Sequence, residues 1–504
     1  MTTAWQHGYY SETSYTYGFY KEFAPNWLDW VALLKGSEPP NTSNRMLELG
    51  CGQGLGLCVM AAANPHMRFV GVDFNPEQIA HARSLVRRTG LTNIEFHEAD
   101  FVSLAAKDQP FEPCDYVVAH GILTWVNQEV RSAIYRIIDK TLTPGGLAYF
   151  SYNALPGWLA THPVQHLMTQ FADRTGVNKQ SFESALTALE SLKDAGAAVF
   201  KNQPGIQPRL EQLQKQAANN ENYIYHEYFH SSWTLFYFTQ IAQEASEGKL
   251  RFLGSATLPE NYDGMLPENM RSAIDSAPDM AMRELFKDMA INQSFRRDVF
   301  VRGQTPIWSG EQLSLFAQRM VTLLQAPDKI SLKFQTGFGE VSGKEEVYKP
   351  IIDQIAKGPV KIADLNKALP DLNLGSLLQS LTLLAHGGAV GFYVQNANKK
   401  PAISFNQTLA ELVSRGAPYR YLALPGIGTG INLDEIQWMA IDAHSKNEDI
   451  PTGVEERLRG LNKSLLKDGQ PMKHGEETVN ELKVRLDGFI TGTLPLIKRL
   501  GGVK

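Results

Sequence analysis

Cysteine is scarce in this sequence: Cys51, Cys58 and Cys114 are the only three in 504 residues. They have neither the spacing of a disulfide framework nor that of a metal site, which excludes a stapled secreted scaffold and points to a reducing, cytoplasmic setting. Long apolar runs are missing as well. No stretch approaches the roughly 18 residues that cross a bilayer, and the N-terminus lacks the charged lead and apolar segment of a signal peptide, so no membrane partner is expected. Positive charge is not in excess. Lys and Arg number 48 against 53 Asp and Glu, a net charge of −5 that argues against nucleic acid as a partner. What remains is ordinary globular material, 43% hydrophobic, without internal repeats. Its length is enough for two to four domains at roughly 150 residues each.

The stretch around which the first half is organised is Met46-Leu-Glu-Leu-Gly-Cys-Gly-Gln-Gly-Leu-Gly56. A short buried strand, Arg45 to Leu49, breaks into glycines and then into an apolar helix ended by Asn64-Pro65. Such a turn presents bare backbone N–H groups at a helix N-terminus, where an anion or nucleotide can approach. Strand and helix patterns then alternate. Buried strands are predicted at Phe69–Asp73, Ile94–Glu98, Asp115–Ala119 and Leu147–Tyr152. A helix from Glu77 is capped by Asn75 with Pro76 at its first position. This alternation implies an α/β fold, a doubly wound Rossmann-like parallel sheet with its ligand at the C-terminal strand ends.

The alternation stops at residues 158–250, where helices at Gln165–Arg174, Ser181–Phe200 and Leu210–Ala218 read as a helical insertion or lid. Strand character returns at Leu250–Leu253 and Ser294–Arg302, which closes a domain spanning 45–305. Before it lies an aromatic N-terminal flap, residues 1–44, with Tyr9, Tyr10, Tyr15, Tyr17 and Tyr20. After a polar boundary at Arg302–Pro306, three short helices and a hairpin formed by 387–394 and 402–405 predict a winged-helix-like regulatory module over 306–405. Its last helix carries no lysine or arginine, which does not suit DNA reading. Residues 406–504 read as a C-terminal helical region.

A glycine-rich turn alone leaves the ligand open between a dinucleotide and another nucleotide-like cofactor. Gly50, Gly52 and Gly54 are spaced by two, with Glu48 before them and Asp73 ending the second strand. Asp100-Phe101 follows the third strand, and His120-Gly121 ends the fourth. Jointly, over 45–152, this pattern resembles the class I S-adenosylmethionine-dependent methyltransferases. Ala119-His-Gly-Ile-Leu-Thr-Trp-Val126 and Tyr149-Phe-Ser-Tyr-Asn-Ala-Leu-Pro-Gly-Trp158 narrow the resemblance to members carrying a methyltransferase regulatory domain, which include the rickettsial protein lysine methyltransferases. The resemblance implies S-adenosyl-L-methionine as cofactor. Gly50, Gly52 and Gly54, with Cys51 and Gln53, would then line its methionine part. Asp73 would bind the ribose, beside Phe74 and Asn75. Asp100 and Phe101 would contact the adenine, His120 and Gly121 the sulfonium edge, and Tyr20 would close over the cofactor.

His120, Tyr152 and Asn153 are the candidate catalytic residues, with Trp125 and Trp158 near the acceptor's entry. The acceptor implied by the resemblance is a lysine side chain of a protein or peptide. A small-molecule acceptor and a non-catalytic cofactor-sensing regulator are the alternatives. One motif points elsewhere: His226-Glu-Tyr-Phe-His230 fits the H-E-x-x-H of zinc proteases, with Glu244 or Glu247 as a third ligand. Its metzincin continuation is absent, so no metal is expected.

Overall fold

The computed structural model describes residues 17–219, 228–229 and 232–504. His226, Glu227 and His230, and the tyrosines before residue 17, lie outside them. Among the described residues no group of three His, Cys, Asp or Glu side chains gathers as a metal site. Glu244 is engaged elsewhere, 3.2 Å from Arg131.

The chain enters through helix α1 (Pro25–Leu34), buried along most of its length. Then β1 (Arg45–Leu49), α2 (Leu55–Ala63), β2 (Arg68–Asp73), α3 (Pro76–Thr89), β3 (Ile94–Glu98), α4 (Phe101–Ala105), β4 (Cys114–Ala119), α5 (Gln128–Thr141) and β5 (Leu142–Asn153) alternate as the apolar periodicity predicts. Each helix sits on a sheet face because its stripe must be buried against strands that are apolar on both sides. Helices α6 (His162–Thr175), α7 (Lys179–Asp194), α8 (Ala198–Asn202) and α9 (Ile206–Asn219) form a cap over the strand ends. Helix α10 (Phe238–Glu247), β6 (Arg251–Ser255), α11 (Glu268–Asp275), α12 (Met280–Ile291) and β7 (Phe295–Val301) complete the domain.

The seven strands order as β3-β2-β1-β4-β5-β7-β6. The first five in that order are parallel, and β7 pairs antiparallel with both β5 and β6. Strand β7 therefore lies inside the sheet, with β6 at the edge. The strand order reverses between β1 and β4, which opens a crevice at that switch point. The continuous helix predicted for Ser181–Phe200 is in fact two. Gly196 takes φ +73° at the break and its N–H caps Lys193, a left-handed helix end that glycine permits at little cost.

Beyond β7 come α13 (Ser309–Gln318), β8 (Met320–Leu323), β9 (Lys333–Thr336), β10 (Gly339–Ser342), α14 (Glu345–Ala356), β11 (Val360–Lys361), α15 (Ile362–Ala368), α16 (Leu374–His386) and β12 (Val390–Tyr393). The expected hairpin of 387–394 with 402–405 does not form. Strand β12 pairs instead with β8, in a three-stranded sheet ordered β11-β8-β12, and residues 402–405 lie within helix α17 (Lys400–Val413). Ala402, Phe405 and Leu409 recur at helical spacing and are fully buried, so period 3.6 prevails over the short apolar run. The hairpin of β13 (Tyr421–Leu424) and β14 (Thr429–Asn432) and four more helices finish the chain.

These parts share one core. A single apolar cluster runs from α1 and α2 through β8, α14, α16 and α17 to Leu500. Trp30 stacks on Phe392 with ring centroids 4.3 Å apart, and its indole N–H donates to Thr382. Nor is Arg302–Pro306 a free linker: Glu38 donates to Thr305 and Ile307 donates to Gly36. The described part of the N-terminal segment is thus a buried spine joining core and accessory regions.

Candidate active site

Strand β1 ends in a loop that only glycine can follow. Gly50, Gly52 and Gly54 have φ of +77°, +52° and +74°. A Cβ on Gly54 would stand 2.6 Å from Ala82 and 2.7 Å from the Phe96 ring, neither of which has room to retreat. The loop is pinned to the next strand because Gly50 and Cys51 both donate to the Val72 carbonyl.

Asp73 closes β2 beneath the loop. Its carboxylate accepts from Gly52 N–H and Asn75 N–H, each at 3.0 Å. Burial pushes its pKa up to about 6 even though those backbone donors favour the anion. Glu48, buried on β1, is pushed further, to about 8, by burial first and by Asp73 second. At neutral pH the pair therefore holds one ionised and one protonated carboxyl, and the ionised one faces the crevice.

The crevice is a cavity of about 730 Å³. Along β1 to β3 it is lined by Gly50, Gly52, Asp73, Phe74, Gln78, Asp100 and Phe101, with Tyr20 of the N-terminal segment beside them. Asp100 caps α4 by accepting from Ser103 N–H at 2.8 Å. Beyond His120 and Gly121 the cavity continues along β4, β5, β7 and the cap. There Thr124, Trp125, Asn127, Tyr152, Asn153, Trp158, Thr161, Arg209, Gln212, Asn292, Phe295 and Arg297 form its walls.

Four residues expected on the cofactor do not line the cavity. Gly54 is the tight point behind the loop, and Cys51 packs under it against Gly71. The Gln53 carbonyl meets the His81 ring 2.8 Å away, and the Asn75 side chain caps α3. They support the loop from behind.

His120 is deeply enclosed. Its ring lies 3.7 Å from that of Tyr20, and its Nδ1 meets the hydroxyls of Ser151 at 2.9 Å and Tyr149 at 3.1 Å. Burial, with the Arg297 guanidinium as a lesser cause, depresses its pKa to about 3. A group that holds a proton so weakly is a poor base near pH 7. The Tyr152 hydroxyl donates to Asp298 at 2.6 Å within a buried cluster, and burial raises its pKa well above the usual phenol range. That hydroxyl is committed to the fold. Asn153 lines the cavity, and its N–H donates to the Thr124 hydroxyl, tying the ends of β4 and β5 together.

Arg297 and Arg209 were not expected. Strand alternation on β7 would have found Arg297, since Phe295 and Arg297 share the cavity side while Arg296 and Asp298 point away. Arg209 has no local signal, because the cap's placement over the sheet decides its role.

The chain was compared with known proteins. Residues 40–221 match the family described as "Methyltransferase domain", and 220–302 match "Predicted methyltransferase regulatory domain". The latter stretch supplies β6 and β7. "Uncharacterized protein sll1526" of Synechocystis is 33% identical, over 99% of each chain. "Uncharacterized protein RP789" of Rickettsia prowazekii is 28% identical over 81% of this chain and 68% of its own. PKMT2 from Rickettsia typhi, solved in complex with AdoHcy, shares the fold at TM-score 0.70 and 20% identity, over 96% of this chain and 99% of that one.

The cavity fits the cofactor of that family. Glycines leave the loop bare where the methionine part would pass, and an ionised carboxylate closes the second strand where a ribose would donate to it. Because the hydroxyls need the anion, affinity for S-adenosylmethionine should fall as pH drops through about 6, approaching tenfold per unit below it. Titration calorimetry between pH 5 and 8 would show this, and a flat profile would place the ribose elsewhere. The folded chain alone trends oppositely: the raised pKa means that Asp73 contributes most to stability below pH 3.8 and less as pH rises to about 6. The glycine loop, the buried acid, the switch-point cavity and the relatives agree: this chain is an S-adenosylmethionine-dependent enzyme and belongs to the class I methyltransferases with a methyltransferase regulatory domain.

Proposed function

We propose that the methyl group goes to the side-chain amine of a lysine in a protein or peptide. The observation that carries this reading is the make-up of the far half of the cavity. It is lined by aromatic rings, amides and two guanidiniums, and its two carboxylates, Asp73 and Asp100, lie at the cofactor end. An amine attacks only after losing its proton, which costs about 4–5 kcal/mol for a free lysine at pH 7. Arg209 and Arg297 disfavour the ammonium form, as does enclosure away from water. Trp125, Trp158 and Phe295 supply apolar faces for the lysine stem.

When bound, the cofactor supplies a sulfonium whose methyl is already activated for in-line displacement. The protein's share is positioning. Tyr20 and His120 wall the junction of the two halves, and Asn153 and Thr124 fix the strand ends over which the amine must lie. Among the described residues no carboxylate lines the far half, so the proton leaves to solvent before transfer. The resemblance to the rickettsial protein lysine methyltransferases supports the same acceptor.

A small-molecule acceptor is the competing reading. Relatives named trans-aconitate 2-methyltransferase match only about a quarter of the chain, 25% for that of Methylobacterium nodulans. Incubating purified protein with labelled S-adenosylmethionine and a lysate should place label in acid-stable methyl-lysine. The transfer rate on a peptide should climb with pH through the neutral range, without a limb set by an enzyme base. Label confined to the small-molecule fraction would overturn the protein acceptor.

A further inference from the structure

Among the described residues, the acceptor half of the cavity carries charge of one sign. Its ionised groups are Arg209, which reaches in from α9, and Arg297 on β7, whereas both lining carboxylates stand on the far side of the switch point. Arg209 is the more specific of the two. Its guanidinium carbon lies 4.3 Å from the centre of the Trp158 ring and 5.5 Å from that of Tyr228, held by two aromatic faces. Nη1 donates to Gln212 Oε1 at 2.9 Å. Nε is buried without a partner, and no described residue accepts from Nη2. Among the described residues no carboxylate comes within 4 Å of it. Nε–H and Nη2–H point the same way and form the edge that grips a carboxylate with two parallel bonds. A buried N–H without an acceptor is costly, so this edge is unfavourable unless a ligand completes it.

We infer that the acceptor carries a carboxylate beside the atom that is methylated, and that this edge of Arg209 holds it. The inference rests on reading the far half as the acceptor site, and it specifies the acceptor further: a lysine flanked by an acidic residue is taken, and one flanked by further lysines is repelled. Cap closure and recognition become one event, because Arg209 belongs to the cap and its ligand sits over the sheet. The shared chemistry is a carboxylate, whose source is either an acidic peptide or a free dicarboxylic acid.

The test uses the full chain, wild type and as Arg209→Gln and Arg209→Lys. Transfer of labelled methyl is measured to acetylated tripeptide amides Glu-Lys-Glu, Gln-Lys-Gln and Lys-Lys-Lys. Binding of each, and of glutarate, to the AdoHcy-loaded protein is measured by calorimetry. Wild type should prefer Glu-Lys-Glu over Gln-Lys-Gln by at least tenfold in kcat/KM or in affinity. Arg209→Gln should erase that preference, while AdoHcy affinity and melting temperature hold. Arg209→Lys, which keeps the charge but not the fork, should recover only part of it. If wild type binds or methylates glutarate in an Arg209-dependent way and ignores the peptides, the carboxylate site stands and the lysine acceptor falls. If peptides are methylated without regard to flanking acids, or Arg209→Gln keeps the preference, the lysine acceptor stands and this inference falls. Absence of any carboxylate binding to the wild type also overturns it.

Discussion

Asp73→Ala should abolish measurable binding of S-adenosylmethionine while leaving the protein folded. The carboxylate ends β2 inside the cavity and is positioned to accept from the hydroxyls of a ribose. Hydrogen bonds to a charged group contribute roughly 1.5–3 kcal/mol each, so losing a pair lowers affinity by about 10² to 10⁴-fold. Two further effects oppose one another in the folded chain. Removing the carboxylate frees the N–H groups of Gly52 and Asn75, which weakens the loop. It also removes a buried anion that burial already disfavours. The melting temperature should therefore change by only a few degrees, and the affinity loss should far exceed it. Asp73→Asn separates the charge from the shape: it keeps an acceptor oxygen, so its deficit should be intermediate. Retained affinity in the alanine variant, measured by calorimetry, would mean that another group binds the ribose.

Arg296→Met should produce the largest loss of stability. The guanidinium is buried behind the cavity, 2.5 Å from Asp288, 2.9 Å from Asp298 and 3.0 Å from Glu284. It also covers the rings of Phe238 and Phe252, which methionine replaces in part. Without the cation, three buried carboxyls lie close together, with Lys287 beside Glu284 as the cation left among the described residues. Breaking a buried pair from one side costs roughly 3–5 kcal/mol, and here one cation answers several acids. The apparent midpoint of thermal unfolding should drop by about 5 °C. The sign of the pH dependence identifies the cause. Asp288 is already raised to about 7 with Arg296 present, so in the variant these acids protonate readily. The deficit should be greatest at pH 8 and shrink toward pH 5. A deficit independent of pH would assign it to lost packing instead. Adding Asp288→Asn and Asp298→Asn should restore much of the midpoint, as those buried anions no longer need a partner. The network bears on function through Tyr152, whose hydroxyl donates to Asp298, so its failure should also loosen the floor of the acceptor site.

The sequence by itself determined the elements whose information is local and periodic. The strands of the parallel sheet announced themselves as apolar runs, because a strand covered on both faces has no polar side to show. The glycine turn, Asp73 and the N-cap at Asn75 were legible because each is dictated by backbone geometry within a few residues. The cofactor half of the site came with them, since it is built from consecutive strand ends.

What the sequence left undecided depends on contacts between distant segments. Whether Cys51, Gln53, Gly54 and Asn75 line the cavity or lie behind the loop depends on which way the turn faces, which the packing of α3 and β3 decides. How far His120 is enclosed was likewise hidden: burial beside Tyr20, Tyr149 and Phe23 keeps its ring neutral near pH 7. Strand β12 found its partner in β8, which precedes it by about 70 residues, rather than in the next apolar run. The acceptor half is the extreme case. Its walls come from β4, β5, β7 and the helical cap, and Arg209 gains a role only when tertiary folding sets α9 over the strand ends. A local pattern encodes where the chain turns; which charge faces a cavity is decided by the assembly of parts that the pattern cannot see.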